Sequence, residues 1–493
     1  MYLEEKATAL QTEIDPQPTD ASTLASLRAL ADPAFSRIAG APLVDGNQVD
    51  LLRDAAENYP AWLQAIGAAQ RYIYFESYII HDDEIGGHFA DALIAKAGEG
   101  VQVCLVYDWL GGLGKASRRF WNHLRRGGAA VRCYNPPHLS SPLGWVSRDH
   151  RKSLVIDGHT GFVTGLCVGR SWVGDPAKHI EPWRDTGIRV RGPAVMEIER
   201  AFTQIWSKLG EPLPIQESSS PLPTGETSMR IVASEPATAG MIRLDQMVAA
   251  LARERLWLTD AYYAATPSYV QALRAAAKDG VDVRVLVPNA TDIPALRLLS
   301  RTGYRVLLEA GVRVFEWNGS MIHAKTAVAD GHWARIGSTN LNIASWFGNC
   351  ELDAVIEDAA FAAKMEEMYL QDLTNATEIV LDERRRVRAP GEPAHRAVLG
   401  RGGGSASRAA TGAVRIGNAI GAAFTDHRVL GDVEGRFTLL VGLLLSGLAA
   451  LFWFFPQVLI YPAVVLLGWF GIAVIYKAGK IISRSRRNAR RAT

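Results

Sequence analysis

The stretch Met321-Ile-His-Ala-Lys-Thr-Ala-Val-Ala-Asp-Gly-His-Trp-Ala-Arg-Ile-Gly-Ser-Thr-Asn340 spaces His323, Lys325 and Asp330 as H-x-K-x-x-x-x-D. It continues into Gly337-Ser338-x-Asn340. The alternation predicts a β-strand, and period 2 puts His323 and Lys325 on one face. Imidazole beside ammonium is a poor core pair, since two cationic groups are buried cheaply only with an anion between them. A phosphate fits that place. Ser338 and Asn340, on a following strand, are candidate donors to its oxygens.

The arrangement occurs once more, 173 residues upstream, in Arg148-Asp-His150-Arg-Lys152-Ser-Leu-Val-Ile-Asp157-Gly. Either match alone is weak. Two copies, each with Asp-Gly at its end and a further Gly seven or eight residues after the Asp, are a strong signal.

The pair resembles the duplicated HKD motif of the phospholipase D superfamily, and the flanking segments are similar to bacterial cardiolipin synthases. Those segments are Tyr107-Asp-Trp-Leu-Gly111, Trp183-Arg-Asp-Thr-Gly-Ile-Arg-Val-Arg-Gly-Pro193, Gly337-Ser-Thr-Asn-Leu-Asn and Asn349-Cys-Glu351. The resemblance runs from about residue 61 to 381. It implies a catalytic set of His150, Lys152, Asp157, His323, Lys325 and Asp330. It implies His150 as nucleophile and His323 as acid/base, although the symmetry of the site lets the roles exchange. It implies Glu351 as the carboxylate that orients His323 and, by analogy, Asp185 for His150. Asp157 and Asp330 begin Asp-Gly turns, so a structural or supporting role is expected of them. The sequence departs from the pattern at Cys167, where an Asn is common, and at Asn342 and Ala344, where Asp and Arg are common.

The first half reads strand (Arg71-Tyr-Ile-Tyr-Phe-Glu-Ser-Tyr-Ile-Ile80), helix (89–97), strand (101–107), helix (120–126), strand (131–134), then the motif. The second half repeats that order from Leu256-Trp-Leu-Thr-Asp-Ala-Tyr-Tyr263 onward. Strands alternating with helices predict sheets covered on both faces. The fold class expected is α/β: two pseudo-twofold-related domains with mixed, mainly parallel sheets, plus a C-terminal transmembrane helical hairpin. The divisions expected are a polar N-terminal segment (1–50), a first domain (51–213), a linker (214–228) and a second domain (229–382). A basic, Gly-rich linker with an amphipathic stretch (383–436), the hairpin (437–476) and a basic tail (477–493) follow.

The chain has 493 residues, long enough for two or more domains with sizeable cores. Its 53 basic and 51 acidic side chains leave a formal net charge of +2, which argues against a dedicated nucleic-acid binder. Cys104, Cys133, Cys167 and Cys350 are scattered without a C-x-x-C pair, so reduced thiols and no metal site are expected. Asp82-Asp83-Glu84 reads as a helix start. The first residues lack the basic and apolar regions of a secretory signal.

Residues 437–476 contain no charge, are bounded by Arg436 and Lys477, and are interrupted by Pro456 and Pro462. Each half approaches the roughly 20 residues a spanning helix needs. Basic flanks at both ends place both on the cytoplasmic side of a bacterial-type inner membrane, with the catalytic domain.

Two histidines and two lysines suffice for phosphodiester chemistry without metal or cofactor. The lysines neutralise the phosphoryl oxygens, one imidazole attacks phosphorus, and the other moves the proton of the alcohol. The leading expectation is a membrane-bound phosphatidyltransferase using phosphatidylglycerol. A phospholipase D making phosphatidic acid, a nuclease and a non-catalytic scaffold are the alternatives.

Overall fold

A computed structural model of the chain describes residues 33–137, 147–213, 221–236, 238–381 and 387–388, with scattered positions between 443 and 475. The first half consists of β1 (Val44–Arg53), α1 (Asp54–Ala68), β2 (Tyr72–Ser77), α2 (Glu84–Gly98), β3 (Gln102–Asp108) and α3 (Arg118–Arg126). It ends with β4 (Ala130–Tyr134), β5 (Lys152–Ile156), β6 (Thr160–Thr164), β7 (Thr186–Arg191) and α4 (Val195–Lys208). The second half runs β8 (Thr227–Ser234), α5 (Gly240–Leu251), β9 (Arg255–Thr259), α6 (Pro267–Lys278), β10 (Asp282–Pro288) and α7 (Pro294–Leu308). It closes with β11 (Arg313–Trp317), β12 (Thr326–Ala329), β13 (Trp333–Gly337), β14 (Asn349–Glu357), α8 (Ala359–Leu373) and β15 (Ala376–Leu381).

Local chemistry marks the helix starts. The Asp83 carboxylate accepts from Gly86 N at the head of α2, as the acidic cluster led us to expect. Ser117, Thr266 and Asp358 cap α3, α6 and α8 in the same way. Gly100 and Gly280, at equivalent helix ends, take φ of +88° and +95°, which a side chain would resist.

The first sheet has the order β4-β3-β2-β5-β6-β7-β1. The second has β15-β11-β10-β9-β12-β13-β14-β8. The second therefore repeats the first, with β15 added at its edge. Within these two sheets only β2-β3-β4 and β9-β10-β11 pair in parallel; their other neighbouring strands pair antiparallel. The expectation of mainly parallel sheets is corrected accordingly. Helical crossovers build just three parallel strands per half, and the motif strands then enter through loops and hairpins, which force antiparallel pairing.

β1 lies ahead of the boundary expected at residue 51 and joins the halves. Its first residues pair with β8 and its last six with β7. Its Asp45-Gly46-Asn47 reads as a turn in sequence, yet Asn47 is buried, donating to Val44 O and accepting from Ala194 N.

Alternation along the strands sorts side chains into different cores. Tyr72 and Tyr74 of β2 enter a central core that also receives α4, α8 and strands of the second half, whereas Ile73 and Phe75 pack outward with α1, α2 and α3. An outer core under α5, α6 and α7 covers the other face of the second sheet. Sandwiching α4 and α8 between the sheets fixes the halves against each other through buried apolar area.

Among the described residues no helix is long and apolar enough to cross a membrane. The expected hairpin falls largely on residues outside those described, as do residues 1–32, most of 383–436 and the basic tail.

Asp157 and Asp330 sit at the far ends of β5 and β12 from the histidines, about 15 Å along the strand. Each adopts positive φ. The Asp157 carboxylate accepts from the backbone N–H groups of Gln70, Arg71 and Tyr72 at 2.7–2.8 Å. Asp330 accepts from those of Arg253, Glu254 and Arg255 at 2.9 Å. Burial opposes the ionised form of Asp330, but these donors hold it below the usual carboxylate range. These bonds anchor the start of β2 and β9, in keeping with the structural role expected from the Asp-Gly turns. Asp330→Ala should cost about 1–3 kcal/mol in thermal or urea unfolding, and the folded fraction should keep near-normal turnover. Full loss of turnover without loss of stability would contradict the anchoring role.

Candidate active site

His150 and His323 do not lie within strands, as the alternation suggested, but in the extended segments that lead into β5 and β12. Both segments cross to the opposite half. The short strand Arg148–Asp149 pairs in parallel with Asn349 and Cys350, and His150 N donates to Cys350 O at 2.9 Å. Symmetrically, Ile322 bridges Arg184, Arg184 N donates to Met321 O, and His323 N donates to Arg184 O at 2.7 Å.

This crossing decides which carboxylate meets which imidazole. His150 Nδ1 lies 2.8 Å from Glu351 Oε2, and His323 Nδ1 lies 2.7 Å from Asp185 Oδ2. The pairing is the reverse of the expected one. Each histidine is oriented from the other half, because Asp185 and Glu351 immediately follow the residues its own segment pairs with. With Nδ1–H given to a carboxylate, Nε2 carries the lone pair or the transferable proton.

The carboxylates are themselves held. Asp185 accepts from Trp172 Nε1 at 2.9 Å and Thr186 N at 2.9 Å, and Asp185 N donates to Asp54 Oδ1 at 2.8 Å. Gly165 packs beneath Asp185, where a Cβ would collide with its carboxylate. The neighbouring Arg184 is buried, donating to both Asp372 oxygens at 2.9 and 3.0 Å and to Asp54 at 3.1 Å. This ion cluster fastens α8 of the second half to the segment that orients His323. Glu351 accepts from Ser338 Oγ at 2.5 Å and Asn349 Nδ2 at 3.1 Å.

Ser338, expected as a donor to phosphate, is engaged with Glu351 in this structure. Its hydroxyl donates to Glu351 and accepts from Leu352 N. Asn340 keeps spare capacity: among the described residues its side chain hydrogen-bonds Ser345 Oγ alone, at 3.5 Å, and its buried Oδ1 meets no donor.

Lys152 and Lys325 are buried. Lys152 Nζ donates to His150 O at 2.5 Å, and Lys325 Nζ lies 3.1 Å from His323 Nε2. Burial, then Lys152, Lys325 and Arg148, hold His150 well below its ordinary value. Burial and Lys325 lower His323 to about 4, against the opposing pull of Asp185. Burial lowers Lys325 to about 8. Burial opposes ionisation of Asp185, but His323 and Lys325 keep it below the usual range. Both lysines act on both imidazoles, so the four residues form one electrostatic unit.

Aromatic walls that the motif did not reveal surround the quartet. Tyr78 meets the His150 ring edge-on at 4.9 Å and lies under Lys152, 5.1 Å from Nζ. Tyr262 occupies the equivalent place by His323 and Lys325, at 5.8 and 5.9 Å. Trp183 stacks on His323 at 5.6 Å and Trp172 meets it edge-on at 5.5 Å. Tyr78 and Tyr262 stand just beyond equivalent strands β2 and β9, a repeat visible in sequence once the halves are aligned.

Residues 62–206 and 248–373 match the family described as "Cardiolipin synthase, PLD-like domain". The chain belongs to this family. It is 34% identical over 347 residues to a cardiolipin synthase of Alkalihalophilus pseudofirmus, covering 69% of this chain and 68% of that protein. It is 32% identical over 379 residues to cardiolipin synthase A of Pseudomonas fluorescens, covering 75% and 76%. A solved phosphatidylserine synthase of Haemophilus influenzae has the same fold: TM-score 0.56 and 14% identity, over 70% of this chain and 91% of that one. As a member of the cardiolipin synthase-type phospholipase D family, the chain is an enzyme of that superfamily.

An anion held between the lysines would offset the part of the imidazole pKa lowering that the lysines add to burial. The sign follows directly: imidazole pKa values held below 6.5 rise toward it, so anion binding near neutral pH takes up protons. A soluble dialkyl phosphate should bind with uptake of up to about one proton, read as a calorimetric heat that depends on buffer ionisation enthalpy. Binding with no such dependence would show that no imidazole changes charge.

Proposed function

We propose that this protein is a membrane-bound phosphatidyltransferase of the cardiolipin synthase type that works through a phosphohistidine. The observation that carries the reading is the quartet itself. Two buried imidazoles, each fixed through Nδ1 by a carboxylate from the opposite half, share the field of two lysines.

His150 Nε2 attacks the phosphorus of a phosphatidyl donor. The bond from phosphorus to the departing alcohol breaks, and His323, protonated once the phosphate is bound, gives that alcohol its proton. Lys152 and Lys325 hold the equatorial oxygens as charge builds, with Asn340 as a further donor. The acceptor hydroxyl then gives its proton to His323 and attacks phosphorus, releasing His150. With phosphatidylglycerol as donor and acceptor, the products are cardiolipin and glycerol. The cardiolipin synthase relatives favour this acceptor over water.

His150→Ala should abolish covalent labelling by substrate. His323→Ala should lower turnover about 100- to 10,000-fold yet still form an adduct, since the attacking nitrogen remains. Labelling that survives in the first variant and vanishes in the second would reverse the two roles. Labelled phosphatidylglycerol incubated with the full chain should yield cardiolipin; phosphatidic acid as the sole product would make the enzyme a hydrolase.

The uncharged run 437–476 anchors the chain in the bilayer with the catalytic half on the cytoplasmic side. Supporting this, most described apolar side chains there, among them Trp453, Phe454, Leu467 and Ile475, are exposed. Truncation after Arg388 should release a soluble domain that acts on lipid in detergent but loses most activity on vesicles. Retention of the truncated protein on membranes through high-salt washing would mean that the anchor lies elsewhere.

A further inference from the structure

α3, Arg118-Arg-Phe-Trp-Asn-His-Leu-Arg-Arg126, is buried on one side through Phe120, Trp121 and Leu124. At 100° per residue, Arg118, Arg119, Asn122, Arg125 and Arg126 fall within about a third of the helix circumference on the other side. All five are exposed, as are Lys115 and Leu113 in the turn before the helix. None of the five cations, Lys115 included, makes an ion pair with a described residue. Among the described residues Arg125 and Arg126 bond to neutral groups: Asn122, the carbonyl of Val131 and, for Arg125, Tyr107. Asp82 and Asp91 line a surface pocket with Arg119 and Arg126 without pairing to either, and Asp91 lies 3.9 Å from His123.

The equivalent helix of the second half behaves differently. On α7, Arg301 bonds both Glu316 oxygens and Arg305 bonds Glu309 at 2.9 Å. The duplication therefore carries compensated arginines in one copy and uncompensated ones in the other.

The position of the face matters as much as its charge. The connection from β3 to α3 leaves the sheet edge that carries Tyr78 and His150. Gly111, just after β3, packs against Tyr78, and Trp121 stacks on Tyr107 of β3 at 3.8 Å and 6°. The cationic face is thus rigidly joined to the wall of the site.

We propose that Lys115 and the arginine face of α3 form a docking surface for an anionic lipid bilayer, setting the catalytic edge against the membrane. The choice of a bilayer rests on the lipid-transfer reading above, together with the charge of the face and the exposed Leu113 at its head. The mechanism is electrostatic: each cation held at an anionic leaflet favours the docked state about fivefold, an effect that salt weakens.

Asn122→Cys, labelled with an environment-sensitive fluorophore, puts a reporter within the face without removing a charge. The full chain is reconstituted into vesicles of phosphatidylcholine, with or without phosphatidylglycerol. Labelling background is taken from the parent chain, whose Cys133 is the one cysteine not fully buried. The reporter should shift to the blue only with phosphatidylglycerol present, and salt should reverse the shift. In R118Q/R119Q/R125Q/R126Q the docked fraction should fall about fivefold per charge removed, while turnover in detergent micelles stays at the parent level. Lysine at the same four positions should keep the shift, which separates charge from any folding defect. Equal shifts in both vesicle types, or a shift that persists in the glutamine variant, overturn the proposal. A shift produced by a short DNA duplex but not by vesicles overturns it in favour of a nucleic-acid partner. A salt-sensitive shift in a chain that makes no lipid product would sink the transferase reading and leave the docking surface standing.

Discussion

Two lysines and two histidines packed into one desolvated space repel one another, and the rest of the site is arranged around that repulsion. The carboxylates of Asp185 and Glu351 relieve part of it, but both are spent on the Nδ1 side of the rings. Burial first, and then the positive potential of Lys152 and Lys325, with Arg148 acting on His150, disfavours protonation of the imidazoles. In the mechanism proposed above, the same feature would supply affinity for phosphate and a lone pair on the attacking imidazole. It also links protonation of the second histidine to occupancy of the site.

Neither half could hold this arrangement alone. Each motif segment pairs with backbone of the opposite half, and each imidazole takes its carboxylate from there. β1 extends both sheets, α4 and α8 share the central core, and the Arg184–Asp372–Asp54 cluster adds a buried ionic tie. Arg151 contributes another, with its guanidinium donating to the carbonyls of Glu351, Ala201 and Ser234. Such a charge survives burial because its donors are met. The accuracy of the site is thus a property of the interface between the duplicated units.

The duplication is not a perfect copy, and its differences cluster near the chemistry. Ser338 braces Glu351 where the first half has Gly165 packed under Asp185. Asn340 is matched by Cys167, a buried thiol with little capacity as a donor. Arg184 is matched by Cys350, whose thiol lies 3.4 Å from the Tyr134 hydroxyl. His323 consequently sits against a carboxylate fixed by an ion cluster, and His150 against one fixed by a hydroxyl and an amide. A symmetric constellation has acquired two chemically distinct ends.

The sequence by itself determined the catalytic quartet, the duplication and the order of elements, because all three are written in local spacing. Period-2 alternation, caps such as Asp83 and glycines such as Gly100 and Gly280 report on the chain nearby. The uncharged run 437–476 was likewise legible from hydropathy alone. What the tertiary structure decided was every question about partners distant in the chain. It crossed the carboxylates, giving Glu351 to His150 and Asp185 to His323, pairs 201 and 138 residues apart. It turned Ser338 toward Glu351, gave Asp157 and Asp330 the backbone N–H groups that they anchor, and placed β1 between the sheets. It also made most strand pairings antiparallel. Spacing fixes where a side chain points along its own strand; which group it then meets is set by how two sheets pack through a shared core, and no local pattern encodes that.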